Sequence, residues 1–225
     1  MFSAVLFDFG GTLDADGVHP RDQMLRAIRS VGGQCDERAF HDTYTAVDRW
    51  IIEEKKALGL GLAAFNELFL KELSRRLWND ETFADGAIRS LTATQSAKLK
   101  ENTKTLLELG KTYQLGIVSN FSGNLRDILE EQGMRALFST VTDSFHEGVE
   151  KPNAQIFLRT VARMGCQPKD CVFVGDHLER DVQASQSVGL TPVWLSEKTI
   201  LSPENVAHIS RLSELPLILA RLGKP

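Results

Sequence analysis

The chain is poor in cysteine and tyrosine, has no long apolar run and carries no surplus of basic charge. Each lack excludes something. The 3 cysteines, Cys35, Cys166 and Cys171, show no metal-like or redox spacing. So sparse and odd a set excludes a disulfide scaffold and fits a reducing compartment, so a cytoplasmic setting is expected. The longest apolar runs, such as Leu215 to Ala220, fall far short of a bilayer span. The opening Met-Phe-Ser-Ala-Val-Leu-Phe-Asp8 has no basic stretch, so no secretory signal is expected. With 26 basic against 30 acidic residues, the net charge is -4. A dedicated nucleic-acid binder needs a concentrated basic surface, which this balance argues against. Small phosphorylated ligands need only one or two well-placed cations and stay in play.

The residues that are present read as a folded mixed domain. Hydrophobic residues make up 42% and charged residues 25% of the 225 positions. That is ordinary for a globular chain of one to two domains. Ser3 to Asp8 is a short apolar run ending in an acid and glycines, the pattern of a buried strand. Similar runs are Gln114–Ser119, Cys171–Gly175 and Thr191–Leu195, with a weaker one at Ser139–Asp143. Helical patterns at about 98–110, 123–133, 153–164 and 179–188 separate them, each ending near a glycine. Alternating strands and helices predict a parallel sheet of about five strands, covered on both faces.

Residues 20 to 95 break that rhythm. They read as helices at about 20–32, 36–58, 61–78 and from 92 onward. An all-helical stretch between the first two strands is an insertion rather than a crossover. The expected division is therefore an α/β core, 1–15 and 96–225, and a small helical cap, 16–95. Phe40, Tyr44, Val47, Trp50 and Ile51 recur at helical spacing and read as cap packing rather than a substrate box. Asp48 and Arg49 read as a solvated face.

Ligands of open parallel sheets bind beyond the carboxyl ends of the strands. The residues just past each strand are therefore informative. After the first comes Asp8-Phe-Gly-Gly-Thr-Leu-Asp14, and after the second Ser119-Asn120. A later loop carries Glu150-Lys151-Pro152, and the fourth apolar run leads into Gly175-Asp176-His-Leu-Glu-Arg-Asp181. One sheet edge thus receives carboxylates, a hydroxyl and a lysine. Carboxylate oxygens suit Mg²⁺, an aspartate can act as nucleophile, and a hydroxyl and a lysine can hold phosphoryl oxygens.

These four segments, in this order, resemble the motifs of the haloacid dehalogenase-like hydrolase superfamily. The resemblance covers roughly 1–14 and 97–195. It implies a doubly wound Rossmannoid core with a helical cap, and a Mg²⁺-dependent hydrolase working through an aspartyl-phosphate. By that resemblance Asp8 and Lys151 are catalytic. Thr12, Ser119, Asn120 and Lys151 bind the substrate phosphate, Thr12 also supporting its own loop. Asp8, the carbonyl of Gly10 and Asp176 ligate the metal, with Asp181 supporting that shell. The implied partner is a small phosphorylated metabolite, with no nucleic acid and no membrane, for a monomer or homodimer.

One position departs from the pattern. Phosphatases of this family usually carry a second aspartate two residues after the nucleophile, as general acid-base. Here that residue is Gly10. Such a group is worth about 10²- to 10⁴-fold in rate. Three explanations stand. The leaving group needs no proton, as in acyl phosphates. Asp14, Asp16 or His19 takes the role. Or the reaction is that of a phosphonatase or haloacid dehalogenase. A phosphonatase needs a cap lysine, with Lys55, Lys56 and Lys71 the candidates. The presence of both Asp176 and Asp181 speaks against a metal-free dehalogenase. A catalytically weakened binding protein is the remaining alternative.

Overall fold

A computed structural model describes residues 2–79, 84–197, 203 and 206–223. Among these residues six parallel strands form one sheet. They are β1 Ala4–Phe7, β2 Gln114–Ser119, β3 Thr140–Asp143, β4 Cys171–Gly175, β5 Thr191–Leu195 and β6 Ala207–Ile209. Their order is β3-β2-β1-β4-β5-β6. The first five lie where the apolar runs placed them. The sixth is a three-residue edge strand. Ala207-His208-Ile209 has no apolar run to announce it, and it is recruited by pairing with β5, Val193 opposite Ala207.

Between β1 and β2 lie the helices α1 Pro20–Ser30, α2 Glu37–Glu53, α3 Leu62–Trp78 and α4 Ala84–Leu109. Later come α5 Leu125–Glu131, α6 Ser144–Glu147, α7 Ala154–Arg163, α8 Ala184–Ser187 and α9 Leu215–Leu222. Strand residues alternate between two apolar layers, because successive side chains point to opposite faces. Val5, Phe7, Ile117, Val172 and Val174 pack with Leu106 of α4, Ile128 of α5 and Leu219 of α9. Ala4, Leu6, Val118 and Phe173 pack with Ile156, Phe157 and Val161 of α7. Burial on both faces is why the strands are apolar throughout rather than alternating.

The inserted helices bury a cluster of their own. Ile28 of α1, Phe40, Val47 and Ile51 of α2, and Phe69, Leu70 and Leu73 of α3 form it. Asp36 opens α2 by accepting the Ala39 amide at 2.9 Å, a satisfied N-cap. That helix stops at Glu53, short of the expected 58, because Lys55 turns to a φ of 54°. The helix expected from 92 onward into the core, which takes in the pattern at 98–110, is α4. Ala87 and Leu91 of that helix join the cap cluster, and Leu99, Leu106 and Leu109 join the sheet cluster. The expected boundary at 95/96 therefore falls inside a single helix that both units share. Parts of the expected ranges, residues 1, 80–83, 198–202, 204, 205, 224 and 225, lie outside the described residues. Among the described residues, no helix is long and apolar enough to cross a membrane.

Candidate active site

Five polar groups meet at the carboxyl edge of the sheet. β1 ends in Asp8, whose amide is held by the Val174 carbonyl at 2.9 Å. β2 ends in Ser119, whose hydroxyl donates to Asp8 Oδ1 at 2.7 Å. The loop after α6 supplies Lys151, whose Nζ lies 2.8 Å from the same Oδ1 and 2.6 Å from Asp181 Oδ1. β4 runs into Asp176. A π-helical turn, Leu178–Gln183, then carries Asp181 back under the loop. Turns of this kind are rare and concentrate at functional sites. Asp181 Oδ2 accepts the His177 amide at 2.9 Å, so both its oxygens are used.

Asp8, Asp176 and Asp181 each present one oxygen, all within 4.8 Å of one another. Three carboxylates against one ammonium leave an excess of negative charge. The lysine is 3% exposed and Asp181 is 1% exposed, so water screens little of it. Burial, then the charges of Asp8 and Asp181, push the Asp176 carboxyl well up from its ordinary range. Burial raises Asp181 too, against the pull of Lys151. Burial opposes the Lys151 charge, yet Asp181 and Asp8 together hold the ammonium above its usual value. The three carboxylates are hard oxygen donors close enough together to hold a further cation.

The structure sorts the phosphate-binding expectations. Ser119 and Lys151 face Asp8 and line the cavity above it. The Asn120 side chain lies at that cavity but is turned onto the main chain of residue 151. It donates to the Lys151 carbonyl at 2.9 Å and accepts its amide at 2.8 Å. Asn120 therefore fixes the lysine loop, with both ends of its amide engaged. Thr12 is fully buried, and its hydroxyl donates to Asp176 Oδ1 at 3.3 Å. It braces the acid rather than lining the cavity. Gly11 adopts a φ of +88°, and a Cβ there would lie 2.6 Å from Asp176 Oδ2. Only glycine admits that approach.

Above the edge lies a cavity of about 210 Å³ between sheet and cap. Its wall includes residues that helical spacing alone does not place there. Tyr44, expected as cap packing, and Asp48, expected to be solvated, both line it. Phe40, Val47 and Ile51 of the same stripe are buried in the cap as expected. Phe9, Phe65, Phe69 and Phe121 complete an aromatic side. Arg180 reaches the wall and lies 3.4 Å from His19 Nε2. None of Lys55, Lys56 and Lys71 is on the wall.

A buried amide chain also links cap to loop. Asn66 donates to Gln95 at 2.8 Å, and Gln95 donates to Gln23 at 3.0 Å and to Asp14 Oδ2 at 3.1 Å. Asp14 Oδ1 accepts the Gly11 amide at 2.6 Å. Amides within helices read as surface in a sequence. Only the buried acid at their centre explains them.

This edge, acid-rich with a buried lysine at the carboxyl ends of a parallel sheet and roofed by inserted helices, defines a hydrolase of one class. Residues 2–189 match the family model "haloacid dehalogenase-like hydrolase", and the chain belongs to that family. It is 29% identical to human N-acylneuraminate-9-phosphatase over 96% of this chain and 93% of that one. It is 28% identical to glyceraldehyde 3-phosphate phosphatase from Methanopyrus kandleri, over 86% and 83%. Among solved structures, the fold is similar to the putative HAD-hydrolase YfnB of Bacillus subtilis bound to magnesium, with TM-score 0.60, 21% identity and coverage of 97% and 99%. A HAD phosphatase from Thermococcus onnurineus gives TM-score 0.56 at 24% identity, over 97% and 98%.

Proposed function

We propose that the chain is a Mg²⁺-dependent phosphatase of small phosphorylated substrates, working through an aspartyl-phosphate on Asp8. The observation that carries this reading is the placement of Asp8 on the cavity floor. Its Oδ1 is held by Ser119 at 2.7 Å and Lys151 at 2.8 Å. Both contacts orient the carboxylate, which favours attack by its other oxygen on a phosphorus atom above. Lys151 supplies positive charge where the transferring group gathers negative charge.

The donor set fits Mg²⁺. Asp8 and Asp176 with the Gly10 carbonyl would hold it, and Asp181 would support them through Lys151 and its turn. When bound, the ion neutralises charge on the phosphoryl oxygens and on the crowded carboxylates. Two relatives are phosphatases by name, which supports a small phosphorylated substrate. The phosphonatase alternative is weakened, because no cap lysine reaches the cavity wall among the described residues. The cap covers the floor and excludes bulk water from the reacting groups.

The test is phosphate release with Mg²⁺ and after chelation, for the native chain and Asp8→Asn. Turnover should need Mg²⁺ and fall by roughly 10³-fold or more in the variant. Halide release that survives chelation would replace this reading with the dehalogenase one.

A further inference from the structure

Two histidines on the cavity wall are fixed in the same way. His19 caps α1, and its Nδ1 accepts the Arg21 amide at 3.2 Å. His177 caps the π-helical turn, and its Nδ1 accepts the Arg180 amide at 3.2 Å. A ring nitrogen that accepts carries no proton, so in both rings the proton lies on Nε2. Each histidine therefore has a donor left over and no acceptor.

Arg180 adds a third donor group. Its Nη2 lies 3.4 Å from His19 Nε2. With the proton on Nε2, that approach sets donor against donor. An acceptor oxygen between them would satisfy both. Among the described residues Arg180 forms no ion pair, and His177 Nε2 meets no acceptor.

The other charges of the wall have partners or face solvent. Lys151, the other cation there, lies between Asp8 and Asp181. Asp14 is met by the Gly11 amide and by Gln23 and Gln95. Glu150 is exposed. Asp48 is different. It stands one turn past Tyr44 on α2, and neither side chain makes a hydrogen bond among the described residues. Burial raises the Asp48 carboxyl while Arg180 pulls it down, so the two charges are near without touching. This acid limits what the donors can hold. A group with one negative charge and a hydroxyl beside it suits both, the charge on Arg180 and the hydroxyl on Asp48. A second phosphate, with nearly two charges, would be repelled more strongly.

These donors border the phosphoryl floor. His177 follows Asp176 directly. A Cβ on Gly10 would lie 3.0 Å from Cγ of Pro20, the neighbour of His19. A short carbon chain therefore suffices to link a phosphoryl group at Asp8 to the donors, within a cavity of about 210 Å³.

We infer that Arg180, with the Nε2 donors of His19 and His177, forms a carboxylate-binding subsite, and that the substrates are phosphate monoesters of short hydroxy acids. The inference rests on the phosphatase reading above. The floor holds the phosphoryl end and Arg180 holds the acid end, which fixes the ester between them. Arg180 meets the part that departs rather than the reacting atoms, so it sets specificity.

The experiment is steady-state phosphate release by the full chain with Mg²⁺. The probes are 3-phosphoglycerate, racemic glycerol 3-phosphate and, as a general probe, p-nitrophenyl phosphate. The first two share a carbon chain and a central hydroxyl, and differ in a carboxylate against a hydroxymethyl group. We expect kcat/KM to favour 3-phosphoglycerate by about 10- to 100-fold, the worth of charge-assisted hydrogen bonds. Arg180→Met should shrink that preference to under about 3-fold. Arg180→Lys keeps the charge without the planar fork and should retain part of it. The ratio is read within each variant, so a general loss of activity does not mimic the effect. Equal or reversed preference in the native chain would overturn the subsite. So would a preference that survives Arg180→Met undiminished. Release from p-nitrophenyl phosphate alone would overturn the hydroxy-acid class. Asp8-dependent release from none of the three would instead overturn the phosphatase reading itself.

Discussion

On the sheet edge, Lys151 sits 2.8 Å from Asp8 and 2.6 Å from Asp181, and the whole set is nearly dry. Across the cavity, the cap presents Tyr44, Phe65 and Phe69, which touch one another as rings. The two surfaces depend on different physics. In the floor each charge is tolerable only because its partner is there. In the roof each ring adds contact area and depends little on any single neighbour. The floor should therefore fail abruptly when one group is removed, and the roof by degrees.

The sharpest break is Lys151→Met. It leaves two buried carboxylates facing each other without the ammonium between them. Removing one partner of a buried pair costs about 3–5 kcal/mol, and urea unfolding should show that loss together with lost turnover. A cost under about 1 kcal/mol would mean that water reaches the floor.

Next is Leu73→Ala, a fully buried residue of the cap cluster that is not on the cavity wall. The expected cost is about 2–4 kcal/mol, from lost burial and a residual cavity. Turnover of p-nitrophenyl phosphate below the unfolding temperature should change little. If this variant abolished turnover as completely as Lys151→Met, the contrast between roof and floor would not hold.

A smaller effect sits where the two surfaces meet. Burial, and then Arg180, lower His19 to about 4 from its usual 6.5. A depressed histidine favours the neutral ring in the folded state. Its contribution is complete above pH 6.5 and is lost as pH falls toward 4. The loss at pH 5 should be at most about 2 kcal/mol, before any reduction for its partial exposure. Stability of His19→Asn against pH, compared with the native chain, should be flatter in that window. An unchanged slope would show that His19 is solvated.

The smallest effect lies on the outer cap surface. Arg75, and with it Arg76, hydrogen-bond Glu72 at 2.7 Å and hold its carboxyl down at about 2. This stabilisation is present above the usual 4.5 and fades as pH falls toward 2. Glu72→Gln should cost about 1 kcal/mol or less at pH 7, since solvent reaches the two guanidiniums although the Glu72 side chain is only 13% exposed. A larger loss would place the outer cap among the charge-dependent parts of the molecule.

Much of the floor is legible in particular residues. Asp8, Ser119 and Asp176 come after strands that announce themselves as apolar runs, while Lys151 follows the weaker β3 through α6, and the parallel topology brings all four to one edge. Tyr44 and Asp48 escape that logic, because helical spacing shows which side chains share a face, not what that face meets. Asn120, on the cavity wall, and Thr12 hold the lysine loop and Asp176 through their side chains, contacts that the motifs do not announce. No signal in the sequence distinguishes a group that touches ligand from one that holds its neighbour. The amides Gln23, Asn66 and Gln95 come from three different helices, and only the shared network around Asp14 explains their burial.

The sequence by itself determined the raw material of the sheet, the helical insertion and the acidic edge with its lysine. These rest on periodicity and on the residues just past each strand, both local properties of the chain. Tertiary structure decided the rest. It set Pro20 and Phe121 against Gly10, strung five rings from Phe9 to Tyr44, and ran α4 through both units. Apart from Phe65 and Phe69, which lie four residues apart on α3, those rings meet across segments distant in sequence. Each depends on the distance between side chains in the folded state, which no local pattern encodes.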